Sequence, residues 1–357
     1  MQERKIVSRL GMFDLAKGIG MIIVVMSHII GYYNLEFTGF TIFYPFWYIG
    51  CGLMPMFFII SGYGMRKRPI GRCLKQQARY YIYPYIYTGI VTVIVYGVMH
   101  YITFGYKDGA IYEMKNMTMS FLCGISTPQT TFMGYEFHKG VVAIWFFLAM
   151  FIGWNIVNAV MFIRNSKVAF AIITACVLAG YGCTLIGTLP FCISQGLIST
   201  GYIYAGYIMK KRKIFEKNLG KGVIFIFLVL TIISSIVGYP EMAYNDWKLG
   251  PYDIVCAGII GYMVIKACFV IDSKFRNNKI INGIKVIGRY TYWIMIIHCF
   301  EIMVYHWDML GRFPVQIDLL CNSQLLRFIV QTVICILIII AGCAAFNIKN
   351  SLKAKRR

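Results

Sequence analysis

Apolar residues run along this chain in long, nearly uncharged blocks that are separated by short polar and basic stretches. A helix needs about 20 apolar residues to cross the hydrocarbon core of a bilayer. Ten blocks approach that length, at 10–33, 40–65, 80–103, 141–163, 168–188, 191–209, 222–239, 252–271, 286–305 and 328–348. The pattern therefore predicts an all-α, polytopic membrane helix bundle of about ten transmembrane helices.

Two of these blocks are defined by individual residues. Residues 168–209 carry no charge, and we divide them at Pro190 because proline ends or bends a helix and an unbroken helix of that length would overshoot the bilayer. The block 286–305 is the weakest candidate for a span, since it contains three ionisable side chains, Arg289, His298 and Glu301.

Composition supports a membrane protein. Hydrophobic residues make up 59% of the chain and charged residues only 14%, whereas about a quarter of the residues of a soluble domain are charged. The 16% of aromatic residues argues against disorder. The net charge of +21 does not indicate nucleic-acid binding, because the basic residues punctuate apolar runs instead of gathering on one face. We expect one membrane domain over residues 1–357, with no appended extracellular transferase domain.

The positions of lysine and arginine predict the orientation. If both termini are cytoplasmic, all but six of the 35 basic residues lie on the inner side, as the positive-inside rule requires. The six on the outer side are Lys107, Lys115, Lys139, Lys248, Arg312 and Arg327. We therefore predict a multi-pass protein of the cytoplasmic membrane that contacts anionic lipid at its inner face.

The twelve cysteines do not indicate a disulfide framework or a metal centre. Most of them, including Cys299 and Cys335, fall within predicted spans instead of exported loops. We interpret these as small apolar packing residues. The sequence contains no Cys-x-x-Cys or His-Glu-x-x-His motif, so it predicts no metal site.

Ionisable residues in the first span are candidates for function, because they are costly in a membrane. Lys17 and His28 are eleven residues apart, so they lie within about 20° of one helix face and about 16 Å apart along its axis. Asp14 is one turn before Lys17. The alternative is that Asp14 and Lys17 form only an interfacial ion pair, and that His28 is an ordinary interhelical hydrogen-bonding residue.

A second candidate pair lies in the block 286–305. His298 and Glu301 are at i,i+3 spacing, which places the carboxylate beside the imidazole on a helix. Such a carboxylate orients the ring or raises its pKa, and the pair suits general acid–base chemistry. The alternative is that Glu301 lies close enough to the outer surface to be hydrated.

The stretch "FDLAKGIGMIIVVMSH" resembles the first-helix motif of the acyltransferase 3 family of integral membrane acyltransferases. That motif has an aspartate, a basic residue three positions later followed by glycine, and a histidine further along the helix. Asp14, Lys17, Gly18 and His28 match it in register.

Four further stretches resemble motifs of the same family, in the family's order. They are "MPMFFIISGYGM", "ARYYIYPY", "IWFFLAMF" and "IGRYTYWIMIIH", and their matching positions include Ser61, Arg79, Trp145 and His298. The chain departs from the family in two places. Lys17 stands where many members have arginine, and Arg79 lacks the second arginine that many members carry nearby, although Arg72 and Lys75 are close in sequence.

The resemblance implies transfer of an acyl group, commonly acetyl, from cytoplasmic acyl-CoA to a hydroxyl of an extracytoplasmic or lipid-linked glycan in the cell envelope. It implies that Lys17 and Arg79, with the nearby cations Lys75 and Arg72, hold the phosphates of CoA. We expect no metal cofactor and no nucleic-acid partner. A separate extracytoplasmic transferase is a possible partner for delivery of the acyl group.

The resemblance also suggests roles for the residues of the cavity. His28 acts as general base toward the attacking hydroxyl or transiently carries the acyl group. His298, beside Glu301, positions the acceptor or serves as a second proton carrier, and Ser61 and Trp145 shape the cavity. The rival hypothesis is a transporter or flippase for a glycan-related substrate, without acyl transfer. A structural or sensory membrane protein is a third alternative.

Overall fold

The structure is a computed structural model that describes residues 2–33, 44–312 and 315–355. Within these residues the chain forms helices and one small hairpin. The helices are α1 (Gln2–Tyr33), α2 (Tyr44–Cys51), α3 (Leu53–Gly64), α4 (Ile70–Gln77), α5 (Tyr83–Phe104), α6 (Lys107–Cys123), α7 (Trp145–Val160), α8 (Ser166–Ile186), α9 (Ile193–Lys211), α10 (Lys221–Val237), α11 (Pro251–Lys274), α12 (Lys279–Val304), α13 (Asp318–Asn322) and α14 (Gln324–Lys355). The strands β1 (Thr130–Phe132) and β2 (Tyr135–Phe137) pair antiparallel.

Nine of the ten predicted blocks each contain one α-helix, whereas the second block, 40–65, forms the two helices α2 and α3, with residues 40–43 outside the described residues. In the described part of the chain, six helical stretches are long and apolar enough to cross a membrane. They are Gly11–Ile30, Ile70–Phe104, Val142–Val160, Ser166–Ile186, Pro251–Lys274 and Gln324–Ala344. Tyr48–Gly64 and Lys221–Val237 are apolar but shorter. The all-helical fold is thus confirmed, while the count of ten spans and the cytoplasmic termini stay predictions.

The division of the uncharged stretch at Pro190 is confirmed. Helix α8 ends at Ile186, a short 3-10 turn occupies Pro190–Cys192, and α9 begins at Ile193. Phe191, inside that turn, has a φ of 56°, which an α-helix of L-residues does not accommodate. The chain therefore reverses at this point and continues as a separate helix.

The bundle has two ends of different character. We call the end that holds Asp14, Lys17 and α4 the basic end, and the end that holds α6 and the hairpin the loop end. At the basic end, the side chain of Asn158 exchanges two hydrogen bonds of 2.9 Å with the backbone of Arg68. At the loop end, Gln195 donates to the hydroxyl of Ser126 at 2.7 Å. Buried polar contacts thus tie the helix connections together at both ends.

Candidate active site

Helices α1 and α12 touch backbone to backbone near the basic end. A Cβ atom added at Gly288 would lie 1.8 Å from the carbonyl oxygen of Asp14, and one added at Gly18 would lie 2.1 Å from the carbonyl oxygen of Ile284. Only glycine allows so close an approach, as at other small-residue helix contacts in membranes. The glycine that follows Lys17 in the first-helix motif therefore fixes the distance between α1 and α12.

The same two helices bring two histidines together. Ten residues beyond Gly18 and Gly288, the ring centroids of His28 and His298 are 5.7 Å apart and their planes are tilted by 50°. His298 is only 1% exposed, whereas His28 keeps an exposed surface. His28 is therefore the accessible member of the pair.

Glu301 and Cys335 complete a buried cluster around His298. The Nδ1 atom of His298 lies 3.1 Å from Oε2 of Glu301. The Sγ atom of Cys335, on α14, lies 3.4 Å from that Nδ1 and 3.3 Å from that Oε2. Glu301 is 1% exposed, so the predicted pairing with His298 is confirmed and the alternative of a hydrated Glu301 is wrong.

The hydrogen bond to Glu301 determines what the His298 ring offers. When an ionised Glu301 accepts this bond from a neutral ring, Nδ1 carries the proton and Nε2 keeps a lone pair. Among the described residues, Nε2 has no hydrogen-bond partner. In that state His298 presents a proton-accepting nitrogen, in an orientation that Glu301 fixes.

Lys17 lies next to Gly18, at the basic end of the contact between α1 and α12. Its Nζ atom is 2.9 Å from Oδ1 of Asp14, and the two side chains are 28% and 22% exposed. The predicted ion pair is therefore present, and the ammonium group remains partly open to a ligand at the basic end. At 1.5 Å per residue, Lys17 and His28 are separated by about 16 Å along α1.

A π-helical turn at Ala78–Ile82 places Arg79 close to α12. Pro84 has no N–H to donate to the carbonyl of Tyr80, four residues earlier. That carbonyl accepts a hydrogen bond from the Tyr292 hydroxyl at 2.9 Å instead. This bond anchors the backbone beside Arg79 to α12, one turn beyond Gly288, and the Arg79 side chain is exposed.

The basic run before this turn forms the short helix α4. Arg72 and Lys75 are exposed on the short helix α4, while Cys73 and Gln77 face inward. The spacing produces one buried and one basic face. Arg72 and Lys75 thus lie on the same end of the bundle as Lys17.

Comparison with known families assigns the chain to one of them. The family model described as an acyltransferase domain, that of the acyltransferase 3 family, matches residues 11–348. The chain belongs to the acyltransferase 3 family. No curated protein and no solved structure matches it. The family and the apolar helices make it an integral membrane acyltransferase.

Two other residues of the acyltransferase 3 motifs, Ser61 and Trp145, make their contacts around α7. The Ser61 hydroxyl contacts the sulfur of Met150 on α7 at 3.3 Å. Trp145 begins α7 and is 3% exposed, and Phe147, two residues later, stacks on Tyr292 of α12 at 5.4 Å. In the described part of the chain, no hydrogen bond joins Ser61 or Trp145 to the histidines, so their role in shaping a cavity stays a prediction.

Cys335 is the residue of this acyltransferase that its sequence did not mark. It lies in the most apolar predicted span, 34 residues after Glu301, and was interpreted as a packing residue. No disulfide joins any of the cysteines, all of which lie in the described part of the chain, but Cys335 is within hydrogen-bonding distance of two ionisable groups. The position of Cys335 beside His298 and Glu301 depends on the packing of α14 against α12, which the sequence pattern does not determine.

Proposed function

We propose that this acyltransferase takes an acyl group, acetyl in the simplest case, from acyl-CoA at the basic end. It delivers the group to a hydroxyl of a glycan or lipid-linked sugar on the other side of the membrane. The observation that carries the proposal is the meeting of His28 with the Glu301-oriented His298 inside the bundle, in a member of an acyltransferase family. Buried ionisable groups in a membrane bundle are costly and mark sites of chemistry.

The basic end supplies the groups for the donor. Lys17 on α1 and Arg79, next in the chain to the Tyr80 that bonds α12, remain exposed enough to meet phosphate oxygens. Arg72 and Lys75 add charge from α4. Lysine binds phosphate as a point charge and arginine as a planar fork. In this proposal the CoA phosphates lie among these cations, and the thioester reaches His28 about 16 Å higher along α1.

The histidine pair supplies the proton acceptor that the reaction needs. A sugar hydroxyl is a poor nucleophile until its proton is removed. An imidazole takes that proton, the hydroxyl oxygen forms a bond to the thioester carbonyl carbon, and the carbon–sulfur bond breaks. The CoA thiolate leaves and takes up a proton. His28, the accessible member, touches the reactants as base or transient acyl carrier, and His298 holds or relays the proton through its free Nε2.

The loop end offers a setting for a sugar acceptor. A pocket there has aromatic and polar side chains, which suit stacking on a sugar face and hydrogen bonding to its hydroxyls. It is lined by Tyr112, Lys115, Asn116, Tyr135, Glu136 and His138. A separate extracytoplasmic transferase that accepts the acyl group is the alternative route of delivery.

The test uses the full chain purified in detergent and acetyl-CoA labelled in the acetyl group. We expect the parent to bind and turn over acetyl-CoA, and His28→Ala to lose at least about 100-fold of that turnover. Cys299→Ala is the matched control, since Cys299 is buried beside His298 but outside the cluster, and it should keep the parent's rate. If a folded parent neither binds nor turns over acetyl-CoA, the transporter hypothesis replaces this proposal.

A further inference from the structure

Three potential metal-ligand atoms of different chemistry meet inside the bundle. Nδ1 of His298, a carboxylate oxygen of Glu301 and Sγ of Cys335 lie within 4.8 Å of one another, and all three residues are buried. We propose that these side chains bind a thiophilic divalent cation, for which Zn²⁺ is the probe. This inference goes beyond acyl transfer and does not depend on it.

The spacing of the three atoms matches one face of a tetrahedral zinc site. With Zn–N and Zn–O bonds of about 2.0 Å and a Zn–S bond of about 2.3 Å, tetrahedral ligands lie about 3.3–3.5 Å apart. The observed distances are 3.1 Å from nitrogen to oxygen, 3.4 Å from sulfur to nitrogen and 3.3 Å from sulfur to oxygen. One ion above this triangle reaches all three atoms and keeps a fourth position open.

The chemistry of the ligands selects the ion. A thiolate and an imidazole favour Zn²⁺ over Mg²⁺ or Ca²⁺, which prefer oxygen ligands. One thiolate and one carboxylate balance the charge of a divalent cation, so the loaded site is neutral. That matters here because His298 and Glu301 are each 1% exposed and Cys335 is 0% exposed, and an unbalanced buried charge is costly.

Hydrogen bonds alone leave this cluster unsatisfied. In the part of the chain that the structure describes, Oε1 of Glu301 and Nε2 of His298 are buried without a hydrogen-bond partner. So is Oε1 of Gln331, one turn before Cys335 on α14. Buried polar atoms are normally paired, so the unpaired Oε1 of Glu301, on the same carboxylate as the ligand atom Oε2, points to a missing ligand.

Metal binding changes the protonation of the cluster. The thiol of Cys335 loses its proton to solvent as the Zn–S bond forms. The His298 ring stays neutral, but its proton moves from Nδ1 to Nε2 because Nδ1 now binds the ion. Nε2 is then a donor and no longer an acceptor, so the loaded state and the use of His298 as a proton acceptor exclude each other.

The experiment measures metal in the full-length protein purified in detergent. After incubation with Zn²⁺ and removal of free ion, the parent should retain about one zinc per chain, measured by plasma mass spectrometry. Cys335→Ala should retain at least about tenfold less. Cys299→Ala should retain the parent amount. With Co²⁺ in place of Zn²⁺, only proteins that keep Cys335 should show a sulfur-to-cobalt absorption band.

Equal zinc in the parent and in a monodisperse Cys335→Ala protein would overturn the proposal, because the zinc would then be bound elsewhere. If Cys335→Ala does not fold, the cobalt band of the parent decides alone, and its absence overturns the proposal. His28→Ala should keep its zinc while losing acyl transfer. Failure of the metal site and failure of the acyltransferase proposal are therefore separate results.

Discussion

Two helix pairs in this protein approach equally closely, but only one of them brings two histidines and a glutamate together. In the pair α1–α12, Cβ atoms added at Gly288 and Gly18 would lie 1.8 and 2.1 Å from carbonyl oxygens of the other helix. In the pair α3–α9, the corresponding distances at Gly62 and Gly206 are 1.9 and 2.0 Å. Close glycine contacts are thus a general packing device of this bundle.

The residues beside the two contacts differ. The glycines of α3–α9 meet the backbone of Ile59 and Ile203. Along α1–α12, the glycines are followed ten residues later by His28 and His298. Nδ1 of His298 is in turn hydrogen-bonded to Glu301. The comparison teaches that close packing positions a site, while the costly ionisable groups identify it. Four substitutions test that difference.

The largest expected effect is at His298. His298→Gln keeps a similar volume but removes the proton-accepting nitrogen, so acyl transfer should fall at least about 100-fold. The counterpart is Ser199→Ala on α9, which removes a buried hydrogen bond to the carbonyl of Ala149. Its rate should stay within about threefold of the parent, because one neutral hydrogen bond contributes only about 1 kcal/mol. Equal losses in the two variants would contradict the distinction between the pairs.

A methyl group at each glycine contact should separate packing from chemistry. Gly288→Ala and Gly206→Ala should each lower the free energy of unfolding by about 1–3 kcal/mol, seen as a lower melting temperature in detergent. Gly288→Ala should in addition slow acyl transfer by more than about tenfold, because a shift of about 1 Å between α1 and α12 misplaces the histidines. A similar slowing by Gly206→Ala would show that the effect is not specific to α1–α12.

Lys17→Gln should act on donor binding. Loss of a charge-assisted contact to a phosphate should raise the KM for acyl-CoA about tenfold, or about 1.4 kcal/mol, with a smaller change in kcat. Lys285→Gln is the control at the same end, because Lys285 forms an ion pair with Asp272. It should lower the melting temperature and leave KM unchanged. An unchanged KM in Lys17→Gln would remove Lys17 from the donor site.

The smallest effect concerns Glu241, in the connection between α10 and α11. Burial, followed by the nearby Asp246, raises the pKa of Glu241 to about 7 from its usual 4.5. The folded state therefore holds this proton more tightly than the unfolded state, and stability should fall by about 1–3 kcal/mol between pH 4.5 and 7. Melting temperatures across that range should show a shallower fall in Glu241→Gln. An identical fall in both proteins would assign the pH dependence to other groups.

Much of the fold follows from local pattern. Long apolar runs marked the helices, and the break at Pro190 followed from the missing N–H of proline. The pairing of His298 with Glu301 followed from i,i+3 spacing. These features depend on residues a few positions apart, which helix geometry relates directly.

The rest of the site depends on contacts between distant segments. The approach of His28 to His298 needs the parallel packing of α1 and α12, which the apolar pattern does not determine. Cys335 resembles any small residue of an apolar helix until α14 packs on α12. The resemblance to the acyltransferase 3 family singled out both histidines but did not predict their contact, and it gave no signal for Cys335.

The most direct test of the central claim is to locate the acyl group. An acyl-CoA with a photoreactive diazirine in its acyl chain is irradiated with the parent protein, and the modified peptides are identified by mass spectrometry. We predict labels on α1 and α12 around His28 and His298, and their loss when unlabelled acetyl-CoA competes. Labels that map to α3 and α9, or that acetyl-CoA does not displace, would contradict the placement of acyl transfer between α1 and α12.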